Sequence, residues 1–125
     1  MHAIDRDAFE ELVRDAVDGL PSGFRERIEN VTFAVEDWAS PEDFGLTGTS
    51  RGNTLLGVYR GVPLTHRTSG YNLTMPDIIV IFQAPLERMA RDADHLGEMV
   101  EHTVRHEIAH YFGISDHRLR ELGAY

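Results

Sequence analysis

The chain has 125 residues, of which 42% are hydrophobic and 26% are charged, and its net charge is −9. The length and hydrophobic content predict one folded domain spanning residues 1–125. The negative charge argues against binding to nucleic acid or to an anionic membrane, because both depend on clustered lysine and arginine. The chain has no cysteine, so disulfides are excluded and any metal would be bound by nitrogen and oxygen atoms.

The first seven residues carry neither the basic nor the apolar stretch of a signal peptide. The longest apolar run, residues 78–82, is too short to cross a membrane. We therefore expect a cytoplasmic protein, and the sequence does not indicate its oligomeric state.

The N-terminal half predicts two helices and a strand. The first helix is capped by Asp5 and ends at Gly19, with apolar residues at helical spacing between them. A short second helix is expected within residues 21–29, and alternating β-branched residues predict a strand at 31–35. Residues 36–53 are polar and rich in glycine, so we expect a long surface loop there.

The C-terminal half predicts two strands and then helices. Strands are expected at residues 55–60 and 78–82, with a loop between them, and the second is apolar throughout, as in strands covered on both faces. A short helix is expected near residues 86–90. A long helix follows at 96–111, with Gly113 at its C-cap. A last helical turn is expected within residues 114–125.

The long helix contains the pattern H-E-x-x-H as His106-Glu107-Ile108-Ala109-His110. Two histidines four residues apart lie about 40° apart around a helix, so both imidazoles can bind one zinc ion. Glu107 lies about 100° round from His106, where it can accept a proton from a water on the metal. The alternative is a solvated helix face that carries the pattern by chance.

Gly113 and Asp116 extend the pattern to H-E-x-x-H-x-x-G-x-x-D. A glycine allows the backbone to turn sharply, which can bring Asp116 back to the metal as a third ligand. His117 is a competing third ligand, since a one-residue shift of the turn would present it instead. Asp116 could also be only a turn or capping residue. His102 precedes His106 by one turn without an intervening glutamate, and we interpret it as a surface residue or a neighbour of the ligands.

The extended motif resembles the zincin metallopeptidases, most of all the metzincins, in which a glycine turn delivers the third ligand. That ligand is usually histidine in metzincins, whereas the matching residue here is Asp116. The chain is also similar, over residues 55–123, to a family of very small bacterial zincin-like proteins. The similarity lies in residues 106–116, 119–123 and 57–65 and in Pro85-Leu86. No methionine follows Asp116, so the metzincin Met-turn is missing.

This resemblance implies an α+β minimal zincin fold, in which a small mixed or antiparallel sheet packs against an active-site helix and an N-terminal helix. It implies a zinc peptidase with one Zn²⁺ per chain bound by His106, His110 and Asp116, and with Glu107 as general base and acid. The substrate would be a peptide or protein that pairs with the edge of strand 78–82 or of strand 55–59. A non-catalytic zinc-binding or partner-binding module is the alternative. A zinc RNA endonuclease is disfavoured by Glu107 and by the net charge.

Overall fold

The computed structural model describes residues 3–47, 54–61, 77–114 and 116–121. In chain order its elements are α1 (Arg6–Asp18), α2 (Ser22–Arg27), β1 (Val31–Glu36), α3 (Pro41–Thr47), β2 (Gly57–Arg60), β3 (Asp77–Phe82), α4 (Gln83–Met89), α5 (Ala93–Tyr111) and α6 (Asp116–Glu121). Every helix and strand that the sequence predicts is present, with bounds that differ by a few residues. No helix in these ranges is long and apolar enough to cross a membrane.

The three strands form one mixed sheet in the order β1-β3-β2. β3 is parallel to β1 and antiparallel to β2, so both of its edges are paired. A further bond, from the Phe82 N–H to the Leu56 carbonyl (2.9 Å), continues the β2–β3 ladder by one residue. Ile79 to Phe82 are completely buried, which confirms that this strand is covered on both faces.

The main hydrophobic core lies between one face of the sheet and the helices α1 and α5. Tyr59, Ile79 and Ile81 point into it from the sheet. The helices fill it with residues at helical spacing, namely Phe9 and Val13 from α1 and Leu96, Val100, Val104 and Ile108 from α5. The fold class predicted from the sequence, a small sheet against the long helix and the N-terminal helix, is therefore confirmed.

A short helix occupies part of the segment that we expected to be a surface loop. Residues 41–47 form α3, so the loop prediction is wrong there, whereas residues 48–53 lie outside the described part of the chain. The helix begins with proline and two acidic residues, as helices often do. α3 contacts β2. On the second face of the sheet, Val58, Val80 and Phe82 form a smaller apolar cluster, against which Ala39 and Leu55 pack.

The guanidinium of Arg60 joins β2, β1 and α3. It donates two hydrogen bonds to the Asp43 carboxylate (2.8 and 2.9 Å) and two to the Glu36 carboxylate (2.9 and 3.0 Å). Burial of the Asp43 carboxyl opposes its ionisation. The hydrogen bonds from Arg60 and from the Ser40 N–H, with the charge of Arg60, outweigh that effect and lower the pKa of Asp43 below its ordinary value. This cluster fixes the end of β2, whose beginning lies beside the motif residues.

Candidate metal centre

Both ends of α5 are closed by local hydrogen bonds that its sequence provides. At the start, the Asp92 carboxylate accepts the His95 N–H (2.8 Å), which is an N-cap. At the end, the Gly113 N–H donates to the His110 carbonyl and the Ile114 N–H to the Ala109 carbonyl, both at 2.9 Å. These two bonds and the positive φ of Gly113 (85°) form a Schellman motif. The prediction that Gly113 ends the helix is confirmed, and the motif residues lie in the last turns of a well-capped helix.

Three side chains of the motif converge on one point. His106, Glu107 and His110 each offer one possible ligand atom, and these atoms lie within 4.8 Å of one another. The two imidazole rings are 4.6 Å apart between centroids and inclined at 75°. His110 donates from Nδ1 to Glu107 Oε1 at 3.0 Å, so Nε2 is the ring nitrogen that would bind a metal. The Glu107 side chain is 6% exposed and that of His110 22%, so the carboxylate lies deeper than the imidazole.

This donor set is compatible with zinc. Ligands about 2.0–2.1 Å from a tetrahedral zinc are separated from one another by roughly 3.3 Å. The possible ligand atoms of His106 and His110 lie within 4.8 Å of each other, so they would have to approach by at most about 1.5 Å to reach that geometry. The hydrogen bond from His110 Nδ1 to a carboxylate is also the common way in which proteins orient a zinc-binding histidine.

The structure leaves the third protein ligand as a prediction. Asp116 is the first residue of α6, and its side chain lies outside the described part of the chain. The competing residue His117 has an 85% exposed side chain whose Nε2 lies 2.7 Å from Glu121 Oε1 on the same helix. His102 is exposed, and its ring centroid lies 6.2 Å from that of His106.

One neighbour of the motif was missed in the sequence analysis. Gly57 lies where β2 passes over α5, and a Cβ placed on it would be 2.8 Å from Thr103 Cγ2 and 3.2 Å from Glu107 Cγ. The absence of a side chain therefore lets β2 approach Glu107 closely. A glycine inside a predicted strand is a signal for such an approach, and it could have been used.

The end of α5 is also fixed against the sheet by two tyrosines. The Tyr111 ring is buried and packs edge-on against the Tyr59 ring, with 5.6 Å between centroids. Tyr59 in turn donates a hydrogen bond from its hydroxyl to Asp77 Oδ1 at 2.6 Å. Tyr111, which follows His110 directly, is thus part of the core and holds the last motif histidine in place.

A family model described as zincin-like metallopeptidase matches residues 28–124, which is more than three quarters of the chain. No curated protein matches the chain. The matched range contains the whole sheet and the His106, Glu107 and His110 cluster on α5. The fold, the motif cluster and the extent of the family match agree, and the chain belongs to the zincin-like metallopeptidase family.

Proposed function

We propose that this protein is a zinc-dependent peptidase that binds one zinc ion through His106, His110 and Asp116 and uses Glu107 as its general base and acid. The observation that carries the proposal is the convergence of His106, Glu107 and His110 within 4.8 Å beside an edge strand of the sheet. Family membership supports the same activity, because zincin-like metallopeptidases are named for hydrolysis of peptide bonds at a metal.

Each motif residue has a separate task in this proposal. Zinc held by the site would supply Lewis acidity, which makes a water molecule more acidic and a peptide carbonyl more electrophilic. Glu107 accepts the proton from the attacking water and then donates it to the leaving amine. The bond from His110 Nδ1 to Glu107 Oε1 orients the imidazole, and the second carboxylate oxygen remains for the proton transfer.

The outer edge of β2 is our proposed binding surface for the peptide backbone. β3 is paired on both sides, so it cannot add a strand, whereas among the described strands β2 pairs only with β3. A peptide added to that edge would use main-chain hydrogen bonds. Its carbonyl would pass close to Glu107, because Gly57 lies against the Cγ of that residue.

Metal content and hydrolysis test the proposal together. The chelator-treated protein should take up one zinc per chain. Loss of a residue that only hydrogen-bonds to a metal ligand lowers metal affinity about 10–100-fold. Asp116→Ala removes a proposed ligand itself, so it should weaken zinc binding by at least that much. Asp94→Ala, which removes an exposed aspartate at the start of α5, is the matched control and should bind zinc normally. Glu107→Gln should keep zinc and lose about 10²–10⁴-fold in peptide hydrolysis.

The other outcomes have distinct meanings. Zinc uptake without cleavage of any peptide by the wild type would support the non-catalytic module. Normal zinc binding by Asp116→Ala and weak binding by His117→Ala would transfer the third-ligand role to His117. Failure of the wild type to take up zinc would refute the metal site itself.

A further inference from the structure

A small cavity continues the candidate site along α5. Its volume is about 180 Å³, which is below the roughly 300–1,000 Å³ of pockets that hold a whole small ligand. It can therefore accommodate one side chain of a larger molecule. The residues that line it are Leu56, His95, Glu98, Met99, His102 and Thr103.

The cavity lies on the same side of α5 as the motif. Glu98, His102 and His106 follow one another at intervals of four residues, and Thr103 precedes Glu107 by four, so each set shares one face of the helix. Thr103 lines the cavity, and its methyl group lies against Gly57 together with the Cγ of Glu107. Leu56, the residue before Gly57, forms the opposite wall. The cavity thus adjoins Glu107 at the beginning of β2.

The distance from Glu107 fits the spacing of an extended peptide. The α5 residues that line the cavity begin at Thr103, four positions before Glu107 and about 6 Å away along the helix axis. Glu98 is nine positions before Glu107, or about 13.5 Å away. An extended chain advances about 3.3 Å per residue. A peptide that runs along β2 parallel to α5, with its reacting carbonyl at Glu107, would therefore present a side chain to the cavity about two to four residues from the scissile bond.

The lining is suited to a side chain with an apolar stem and a positive end. Leu56, Met99 and the Thr103 methyl are apolar, and two imidazoles, those of His95 and His102, also line the cavity. Glu98 places an exposed carboxylate at the rim. No arginine or lysine is among the described residues that line the cavity. Lysine and arginine bury their methylene groups while keeping the charge near solvent. The net charge of −9 also attracts cationic peptides at long range.

We propose that this cavity is a specificity subsite for a lysine or arginine side chain and that Glu98 determines the preference for positive charge. This proposal rests on the proposed peptidase function, because the subsite would select peptide substrates by a residue near the cleaved bond. The substrates would then be peptides with a basic residue about two to four positions from the scissile bond, on one side of it.

Paired peptides that differ only in lysine or norleucine at this position test the subsite. For the zinc-loaded wild type, kcat/KM should be about two- to fivefold higher for the lysine peptide than for the norleucine peptide, because a solvent-accessible ion pair with Glu98 contributes about that much. The ratio should fall to about one in Glu98→Gln. Glu101→Gln is the matched control, because Glu101 is on the same helix, pairs with Arg105 (2.7 Å) and does not line the cavity. It should keep the wild-type ratio.

A binding titration separates failure of the subsite from failure of the peptidase proposal. The backbone amide signals of Leu56, Met99 and Thr103 are followed by NMR in zinc-loaded Glu107→Gln as each peptide is added. Tighter binding of the lysine peptide that Glu98→Gln abolishes would support the subsite even if no peptide is ever cleaved. Equal kcat/KM and equal affinity for the two peptides, or a preference that survives Glu98→Gln, would overturn it.

Discussion

Replacing Gly57 by alanine tests whether the close approach of β2 to α5 positions Glu107. The new Cβ would lie 2.8 Å from Thr103 Cγ2, 3.1 Å from the Val80 carbonyl oxygen and 3.2 Å from Glu107 Cγ. The Thr103 methyl cannot rotate away without cost, because the hydroxyl of the same side chain donates to the Met99 carbonyl at 2.8 Å. The carbonyl of Val80 belongs to the central strand. Relief must therefore come from separation of β2 from α5 or from movement of Glu107.

Gly57→Ala should lower two measured quantities, the free energy of unfolding and the rate of peptide hydrolysis. Overpacking of this kind lowers the free energy of unfolding by about 1–3 kcal/mol. Displacement of a catalytic group by about 1 Å can reduce turnover by roughly 100-fold, so peptide hydrolysis should fall by more than the loss of folded protein explains. Urea unfolding measures the first part. Initial rates on fully folded, zinc-loaded protein measure the second.

Two further variants make this test specific. Gly97→Ala adds the same methyl group within α5, where a Cβ meets nothing within 4 Å, and it should stabilise the protein by about 0.5–1 kcal/mol. Thr103→Ser removes the clashing methyl but keeps the hydroxyl, so the Gly57→Ala/Thr103→Ser double variant should recover part of the stability. Wild-type stability and activity in Gly57→Ala, or strictly additive effects in the double variant, would refute the reasoning.

The local patterns of this sequence were sufficient for most of its secondary structure. Buried residues at helical spacing identified α1 and α5, and the unbroken apolar run identified β3 as a strand covered on both sides. The motif could be placed because its residues are close in sequence and lie on one helix. Spacing within a helix alone brings His106, Glu107 and His110 together.

Features that depend on distant parts of the chain could not be predicted in the same way. The helix α3 was missed because Gly45 and Gly48 favoured a loop, whereas the burial of Asp43 against Arg60 of β2 stabilises it. The proposal that a peptide pairs with β2 rather than β3 depends on the strand order, which no periodicity encodes. The third-ligand role of Asp116 stays a prediction, as does the single domain over residues 1–125.

Two further predictions concern the turn after α5 and the cluster that holds the end of β2. Gly113→Ala should lower the free energy of unfolding, measured with urea, by about 1–2 kcal/mol, because residue 113 has a φ of 85°, which is unfavourable for alanine. Gly97→Ala is again the control and should raise the free energy of unfolding instead. Asp43→Asn should cost about 2–3 kcal/mol, since it weakens hydrogen bonds to a charged partner, whereas Glu42→Gln, at an exposed neighbour, should have little effect. The pKa of Asp43 is lowered in the folded state, so its carboxylate contributes stability above the unfolded pKa of about 3.9 and loses that contribution as the pH falls below it. The free energy of unfolding, measured from pH 7 to pH 3, should therefore fall less steeply below about pH 4 in Asp43→Asn than in the wild type. Equal slopes for the two proteins would contradict the role assigned to this ion pair.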